Sequence, residues 1–342
     1  MPEQKRLRAA IVGAGLMGRW HADAVARLGV TVAAIVDPDA ARARQLNAHH
    51  PRAKVGAALD DVMADVDVVH VCAPSRTHVG LITEAIEGGR HVLVEKPVAP
   101  TTEAVAALLD LASRRRVLLC PVHQFPFQAG FLAALERIPR MGPLRQVSYS
   151  TCSAGADGQD APSTARIAAE ILPHPLSLFA RLWPAIANVE WSVRGPGVGE
   201  IRALGQVDDV GLSISISMGG RPTMNEIQLI GARGTTTVNL FHGFAVTAGG
   251  RVSRVRKATK PLSDAAGTAA AATGNLVKRA WAREAAYPGL RRLMALFYAA
   301  VRGEGPCPLS AEETLAVAHA GDRILQALAD RAGRERDGRR AQ

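Results

Sequence analysis

Two short stretches carry residues whose type and spacing can do chemistry. The first is Gly13-Ala14-Gly15-Leu16-Met17-Gly18, a GxGxxG turn. It follows an apolar run and opens a helical pattern, and an acid, Asp37, stands 19 residues after Gly18. That context is the fingerprint of a dinucleotide site. Gly13 permits the tight turn, Gly15 lets a pyrophosphate approach the amides of the helix N-terminus, and Gly18 lets helix and strand pack closely. Asp37 is placed to accept hydrogen bonds from the adenosine ribose, which favours NAD. Arg42 and Arg44 lie near enough in the chain to keep NADP possible. The second stretch is Glu95-Lys96-Pro97, directly after the apolar HVLV run. A lysine at the carboxyl end of a parallel strand points toward the crevice where such sheets bind ligands. The chain has six lysines against 35 arginines, so lysine is not its default cation. Lysine can give and take a proton and arginine effectively cannot, so Lys96 is a candidate for proton transfer. A surface ion pair with Glu95 is the plain alternative.

These residues need a scaffold. Apolar strands are expected at 8–12, 31–36, 66–72, 91–94 and 116–120, with helices from the glycine loop to about 28 and over 38–48, 78–88 and 101–114. Near-continuously apolar strands alternating with helices mean a parallel sheet covered on both faces. After about residue 122 the pattern changes. Strands with alternation are expected at 146–151, 188–194, 211–218, 226–231 and 234–240. In Leu212-Ser213-Ile214-Ser215-Ile216-Ser217-Met218 one face is apolar and the other is all serine. Residues 258–275, small and polar, read as a mobile loop, and 310–332 as an amphipathic helix. The fold class is therefore α/β: a Rossmann parallel-sheet domain over 1–122, then an α+β domain over 123–342 with a mostly antiparallel sheet. At 342 residues and 48% hydrophobic, the chain has the material for two cores.

In combination, Gly13–Gly18, Asp37, the turn Pro74…His78 and the run Ala85–Ala99 (AIEGGRHVLVEKPVA) resemble the Gfo/Idh/MocA oxidoreductases. The resemblance covers about the first 120 residues. It implies NAD(P)-dependent hydride transfer to or from a secondary alcohol or ketone carbon of a sugar, polyol or sugar nucleotide. It adds Leu16, Met17, Pro74, His78 and Glu95 to the cofactor-binding set and places Lys96 beside the reacting group. It also implies an acid-xxx-His helix motif in the second domain, whose counterpart here is Glu170-Ile171-Leu172-Pro173-His174. The acid is Glu where the family has Asp, and the glycine-rich run common before the motif is absent. The spacing would put Glu170 and His174 on one helix face. Pro173 and Pro175 make the helix bend or restart, with His174 near a helix N-terminus. His174 is then the candidate general base, oriented by Glu170; a cap or core role is the alternative. His123 and Gln124 are candidate substrate contacts, or packing residues only. The remaining histidines, His21 and His70 among them, show no distinguishing constellation.

Two other readings remain open: an NAD-dependent glycosidase or lyase acting by transient oxidation, and a non-catalytic NAD-binding regulator. The net charge is +10, and residues 251–300 hold ten basic against two acidic residues. That excess suits either a solvated face or attraction of an anionic substrate such as a sugar nucleotide. Aromatics are only 4% and no nucleic-acid motif occurs, which argues against a nucleic-acid partner. No apolar stretch is long enough to span a membrane. The start shows no signal-peptide core, and the four cysteines lack metal-site or CxxC spacing. The expectation is a cytoplasmic protein with reduced thiols and no bound metal, forming a homodimer or homotetramer.

Overall fold

The computed structural model describes residues 6–250, 254–284 and 286–340. The chain forms two compact units: residues 1–123 with 290–318, and residues 124–289 with 319–342. Residues 290–318 group with the first unit, which a single cut after residue 122 does not allow for.

The first unit alternates strand and helix: β1 (Arg8–Val12), α1 (Leu16–Arg27), β2 (Thr31–Val36), α2 (Ala40–Asn47), β3 (Lys54–Gly56), β4 (Val68–Val71), α3 (His78–Glu87), β5 (His91–Val94), α4 (Thr102–Arg115) and β6 (Leu119–Pro121). All six strands are parallel, in the order β3-β2-β1-β4-β5-β6. This is a doubly wound arrangement, with its change of winding direction between β1 and β4. Both faces are covered, and the apolar runs reflect that. Val12, Val36, Val71 and Val94 pack with Ile82, Ile86, Val105 and Leu108 of α3 and α4. Ile11, Ile35 and Leu93 are fully buried at the positions between. Every strand points its carboxyl end to the same edge, so the residues just after β1, β2, β4 and β5 share that edge.

The second unit contains α5 (Ala129–Met141), β7 (Leu144–Cys152), α6 (Ala161–Ala169), α7 (Pro173–Leu182), β8 (Ser192–Arg194), β9 (Glu200–Val207), β10 (Val210–Ser217), β11 (Met224–Gly231), β12 (Gly234–Asn239), β13 (Phe244–Gly249) and α8 (Arg254–Trp281). Its seven strands run β13-β12-β11-β7-β10-β9-β8. Every neighbouring pair is antiparallel except β7 with β10, which is parallel. The serine alternation holds as far as Ser215: Leu212, Ile214 and Ile216 are buried while Ser213 and Ser215 are half-buried on the open face; Ser217 is buried, its hydroxyl donating to Glu200. α9 (Leu290–Val301) belongs to the first unit. α10 (Ala311–Arg340) starts at a capping box: Glu313 N–H donates to Ser310 Oγ, and Ser310 N–H to Glu313 Oε2, each at 3.0 Å.

The expected mobile loop at 258–275 is instead the middle of α8. Six alanines between Ala265 and Ala272 carry strong helix propensity, which outweighs Gly267 and Gly274. Lys260 pairs with Asp264 one turn on, and Asn275 Nδ2 donates to the His242 carbonyl at 2.8 Å. α8 packs on β13.

Candidate active site

The glycine loop is shaped by contacts that admit no side chain. Gly13 has φ of +98°, and a Cβ there would lie 2.6 Å from the Cys72 carbonyl oxygen. A Cβ on Gly18 would lie 1.9 Å from the Gly13 oxygen. Gly15 differs: a Cβ there would meet nothing within 4 Å. Gly15 is the N-cap of α1, no side chain caps that helix, and its first turn has no acid. The loop therefore offers open, uncapped backbone amides at a helix N-terminus, which fits a dinucleotide pyrophosphate. Leu16 is exposed beside it and Met17 half-buried.

Asp37, at the end of β2, is buried and also clamps the loop. Its Oδ2 accepts from Ala14 N–H at 2.8 Å and its Oδ1 from Asp39 N–H at 2.9 Å. Each oxygen keeps a second lone pair, so a ribose hydroxyl can still be accepted. Arg42 is turned to Asp39 at 3.3 Å. After β4, Pro74 begins the turn into α3. His78 is buried there, with Nδ1 2.7 Å from the Pro97 carbonyl and Nε2 2.9 Å from the Ala73 carbonyl. It ties the turn after β4 to the turn after β5.

Glu95 and Lys96 come directly after β5. Glu95 is buried and Lys96 half-buried, and the Lys96 N–H donates to Glu95 Oε2 at 3.3 Å. His123 is buried, and its Nδ1 has no hydrogen-bond partner among the described residues. Burial holds its pKa down to about 4; Glu95 pulls it up and Lys96 pushes it down. Its imidazole is thus neutral at neutral pH and lies within the field of both residues. Cys72 is pushed well up by burial and by Glu95, so its thiol stays protonated.

Two histidines with no distinguishing sequence constellation are part of this edge. His21 of α1 and His70 of β4 are fully buried, with their Nδ1 atoms 3.0 Å apart. His21 Nε2 lies 3.2 Å from Glu95 Oε1, and His70 Nε2 lies 2.6 Å from Tyr298 Oη on α9. One signal is present in the sequence: a histidine in the otherwise apolar strand VVHV must find a buried partner. Tyr298, 228 positions away from His70, cannot be found that way.

In the second unit, α6 ends at Ala169 with Glu170 as its C-cap, and α7 begins at Pro173. Glu170 and His174 therefore sit on two successive helices, not one face of a single helix. The restart is where the prolines require it. Pro173 and Pro175 fall in the first turn of α7, where their missing N–H groups cost no intrahelical bond. His174 lies in that turn, half-buried, its ring stacked on Phe125 at 4.4 Å between centroids. Gln124 is buried. Phe127 lies under Arg181 at 5.2 Å, and Gln128 Nε2 donates to the Leu240 carbonyl at 2.9 Å. The 124–128 segment is thus firmly seated, with an aromatic wall against His174.

A cavity of about 810 Å³ in the second unit lies between the open sheet face and α8, lined by Gln228, Thr235, Thr237, Lys260 and Asp264 among others. None of the sequence-predicted site residues lines it. Of the basic stretch 251–300, Arg251 and the side chains of Arg254, Arg256 and Lys257 lie outside the described residues. Arg279 reaches the carbonyls of Glu284 and His242. Among the described residues no cluster of His, Cys, Asp and Glu is arranged to hold a metal ion. No described helix is long and apolar enough to cross a membrane, and the four cysteines are free thiols.

Residues 7–123 match the family model described as "Oxidoreductase family, NAD-binding Rossmann fold". This stretch, about a third of the chain, is thus similar to the NAD-binding domain of the Gfo/Idh/MocA family. Within it fall the glycine loop, Asp37, the Pro74 turn and Lys96. The chain is 32% identical over 133 residues to UDP-N-acetylglucosamine 3-dehydrogenase of Acidithiobacillus ferrooxidans, covering 36% of this chain and 42% of that protein. It is 34% identical over 114 residues to inositol 2-dehydrogenase of Corynebacterium glutamicum, covering 32% and 34%. The matches thus span less than half the length of these relatives. In structure, the chain is similar to the WlbA dehydrogenase of Bordetella pertussis, solved with NADH and UDP-GlcNAcA. The TM-score is 0.71 at 19% identity, over 96% of this chain and 97% of that one. At that identity the likeness establishes the fold of both units.

Proposed function

We propose that the protein is an NAD(P)-dependent oxidoreductase that transfers a hydride to or from a secondary alcohol or ketone carbon of a sugar, polyol or sugar nucleotide. The observation that carries this is the grouping on one sheet edge of an open, uncapped glycine loop, a ribose-ready acid and a lysine. Gly13, Gly15, Leu16, Met17 and Gly18 would hold the pyrophosphate end, and Asp37 the ribose. Pro74, His78 and Glu95 shape the turns along the same edge. When bound, the nicotinamide supplies the hydride chemistry. Lys96 holds and moves the proton at the substrate oxygen and stabilises negative charge developing there. His174 acts as general base, with Glu170 orienting it across the helix break. His123 and Gln124 contact the substrate.

A sugar nucleotide is the substrate class we favour. Its anionic diphosphate suits the +8 balance of residues 251–300 (ten basic, two acidic). The name of the Acidithiobacillus relative supports the same class. We also propose a cytoplasmic homodimer or homotetramer, which light scattering would test.

The test is turnover by the full chain with NAD and NADP in parallel, against inositols, free sugars and UDP-sugars. Net formation of reduced cofactor is expected with at least one. Product without net reduced cofactor would favour the lyase or glycosidase reading. Cofactor binding with no product would favour the regulatory one.

A further inference from the structure

His70 and Tyr298 have no part in the chemistry proposed above, yet they end a continuous buried chain that reaches Lys96. The links are Tyr298 Oη to His70 Nε2 (2.6 Å), His70 Nδ1 to His21 Nδ1 (3.0 Å) and His21 Nε2 to Glu95 Oε1 (3.2 Å). Glu95 Oε2 then accepts the Lys96 N–H at 3.3 Å. Tyr298, His70 and His21 are at most 1% exposed.

The donors and acceptors admit one arrangement when both rings are neutral. A carboxylate only accepts, so His21 Nε2 must carry the hydrogen. Its Nδ1 is then a bare acceptor, and His70 Nδ1–H must donate to it. That leaves His70 Nε2 bare, and the Tyr298 hydroxyl must donate there. Burial and the neighbouring His21 hold the His70 pKa well below its ordinary value, and burial keeps the Tyr298 phenol protonated, so His70 rests neutral with a hydroxyl donor at its Nε2. The Nδ1–H tautomer on His70 is thereby held from both ends, by Glu95 through His21 and by the tyrosine hydroxyl at Nε2. The chain joins α9 through β4 to α1, the helix that starts at the glycine loop, and then to the turn that bears Lys96.

We infer that His70 and Tyr298 are positioning residues for Lys96, acting through the ordered donor chain Tyr298–His70–His21–Glu95 to lock the lysine turn against the glycine-loop helix. The inference rests on the proposed role of Lys96, and its test separates the two. Tyr298→Phe keeps the ring and removes only the donor. We expect kcat to fall about tenfold, the scale of one hydrogen bond, with KM and the NAD dissociation constant unchanged. His70→Asn places a fixed amide donor toward His21 Nδ1 and needs no tyrosine to set a tautomer. It should keep activity within about twofold of wild type, and adding Tyr298→Phe to it should change nothing further. His70→Val, which cannot donate, should lose activity like Tyr298→Phe and gives the same comparison if that variant does not fold.

The arm independent of activity is the ¹⁵N-detected tautomer state of the imidazoles in the full chain. Wild type should show one buried ring protonated at Nδ1 and one at Nε2, and Tyr298→Phe, by removing the donor to the bare His70 Nε2, should shift that nitrogen's signal and the Lys96 amide signal. Unaltered imidazole and Lys96 signals in Tyr298→Phe would overturn the inference even if no substrate were found. So would an equal loss of kcat from Tyr298→Phe in the wild-type and His70→Asn backgrounds. Loss of all turnover in wild type with the tautomer pattern intact would count against the role of Lys96 alone.

Discussion

The turn around Lys96 and the segment Glu170–His174 carry the two candidate proton-transfer groups, and they are held in different ways. Lys96 leaves a buried parallel strand whose neighbours fix its register on both sides. Its supports come from its own turn and three elements: Glu95 beside it, His21 on α1, His70 on β4 and Tyr298 on α9. His174 sits at the first turn of a helix that restarts after a three-residue break, and its ring leans on Phe125. Its acid partner in sequence, Glu170, closes the preceding helix. A group at a strand end is placed by the whole sheet. A group at a helix restart is placed by two prolines and one aromatic neighbour. The first should tolerate no change of chemistry, and the second should tolerate change at the acid.

Changes on the two sides should rank accordingly. Lys96→Ala should lower kcat by about 10²-fold or more, with the NAD dissociation constant nearly unchanged. Lys96→Arg should recover little, because arginine does not exchange its proton. Steady-state kinetics beside calorimetric NAD titration reads both. His174→Ala should lower kcat by about 10²-fold at most. Glu170→Gln should cost less than about tenfold, because the acid reaches His174 only across the break. A loss equal to that of His174→Ala would restore the acid to full partnership.

The glycine loop sharpens the contrast in a second way. Gly18→Ala meets the Gly13 carbonyl at 1.9 Å and should destabilise the protein by about 3 kcal/mol in thermal or denaturant unfolding. Gly15→Ala meets nothing, so it should leave the melting temperature in place and weaken NAD binding instead. A further effect is in pH. His123 has a folded pKa of about 4 against an ordinary 6.5, so below 6.5 the unfolded chain takes up a proton that the folded one refuses. Stability should be flat in this respect above pH 6.5 and fall between 6.5 and 4. His70, also depressed, adds in the same direction. His123→Asn should flatten part of that slope.

Most of the first unit is legible in the sequence because its strands are continuous apolar runs ending in recognisable turns, and the glycine spacing identifies the loop after β1. β3, only three residues long, is not. In the second unit β10 is readable from its serine alternation. β9 escapes, since Leu204 on the polar face of Glu200, Arg202 and Gln206, and Gly205 on the apolar face, break its alternation. β13 carries no fully buried residue and leaves little pattern to find. α8 reads as a loop because two glycines and several hydroxyl residues weigh against its alanines. At the site, Lys96, Asp37 and the loop glycines can be placed from spacing alone. The His21–His70–Tyr298 chain cannot, since its members come from three distant segments and meet only once the sheet and α9 are assembled.

The most direct test of the central claim is a crystal structure of the full chain soaked with NAD. The account predicts the pyrophosphate over Gly15, the adenosine ribose on Asp37 and the nicotinamide ring beside the Lys96 amine. A ring directed away from Lys96, or a glycine loop that stays empty at saturating NAD, would contradict it.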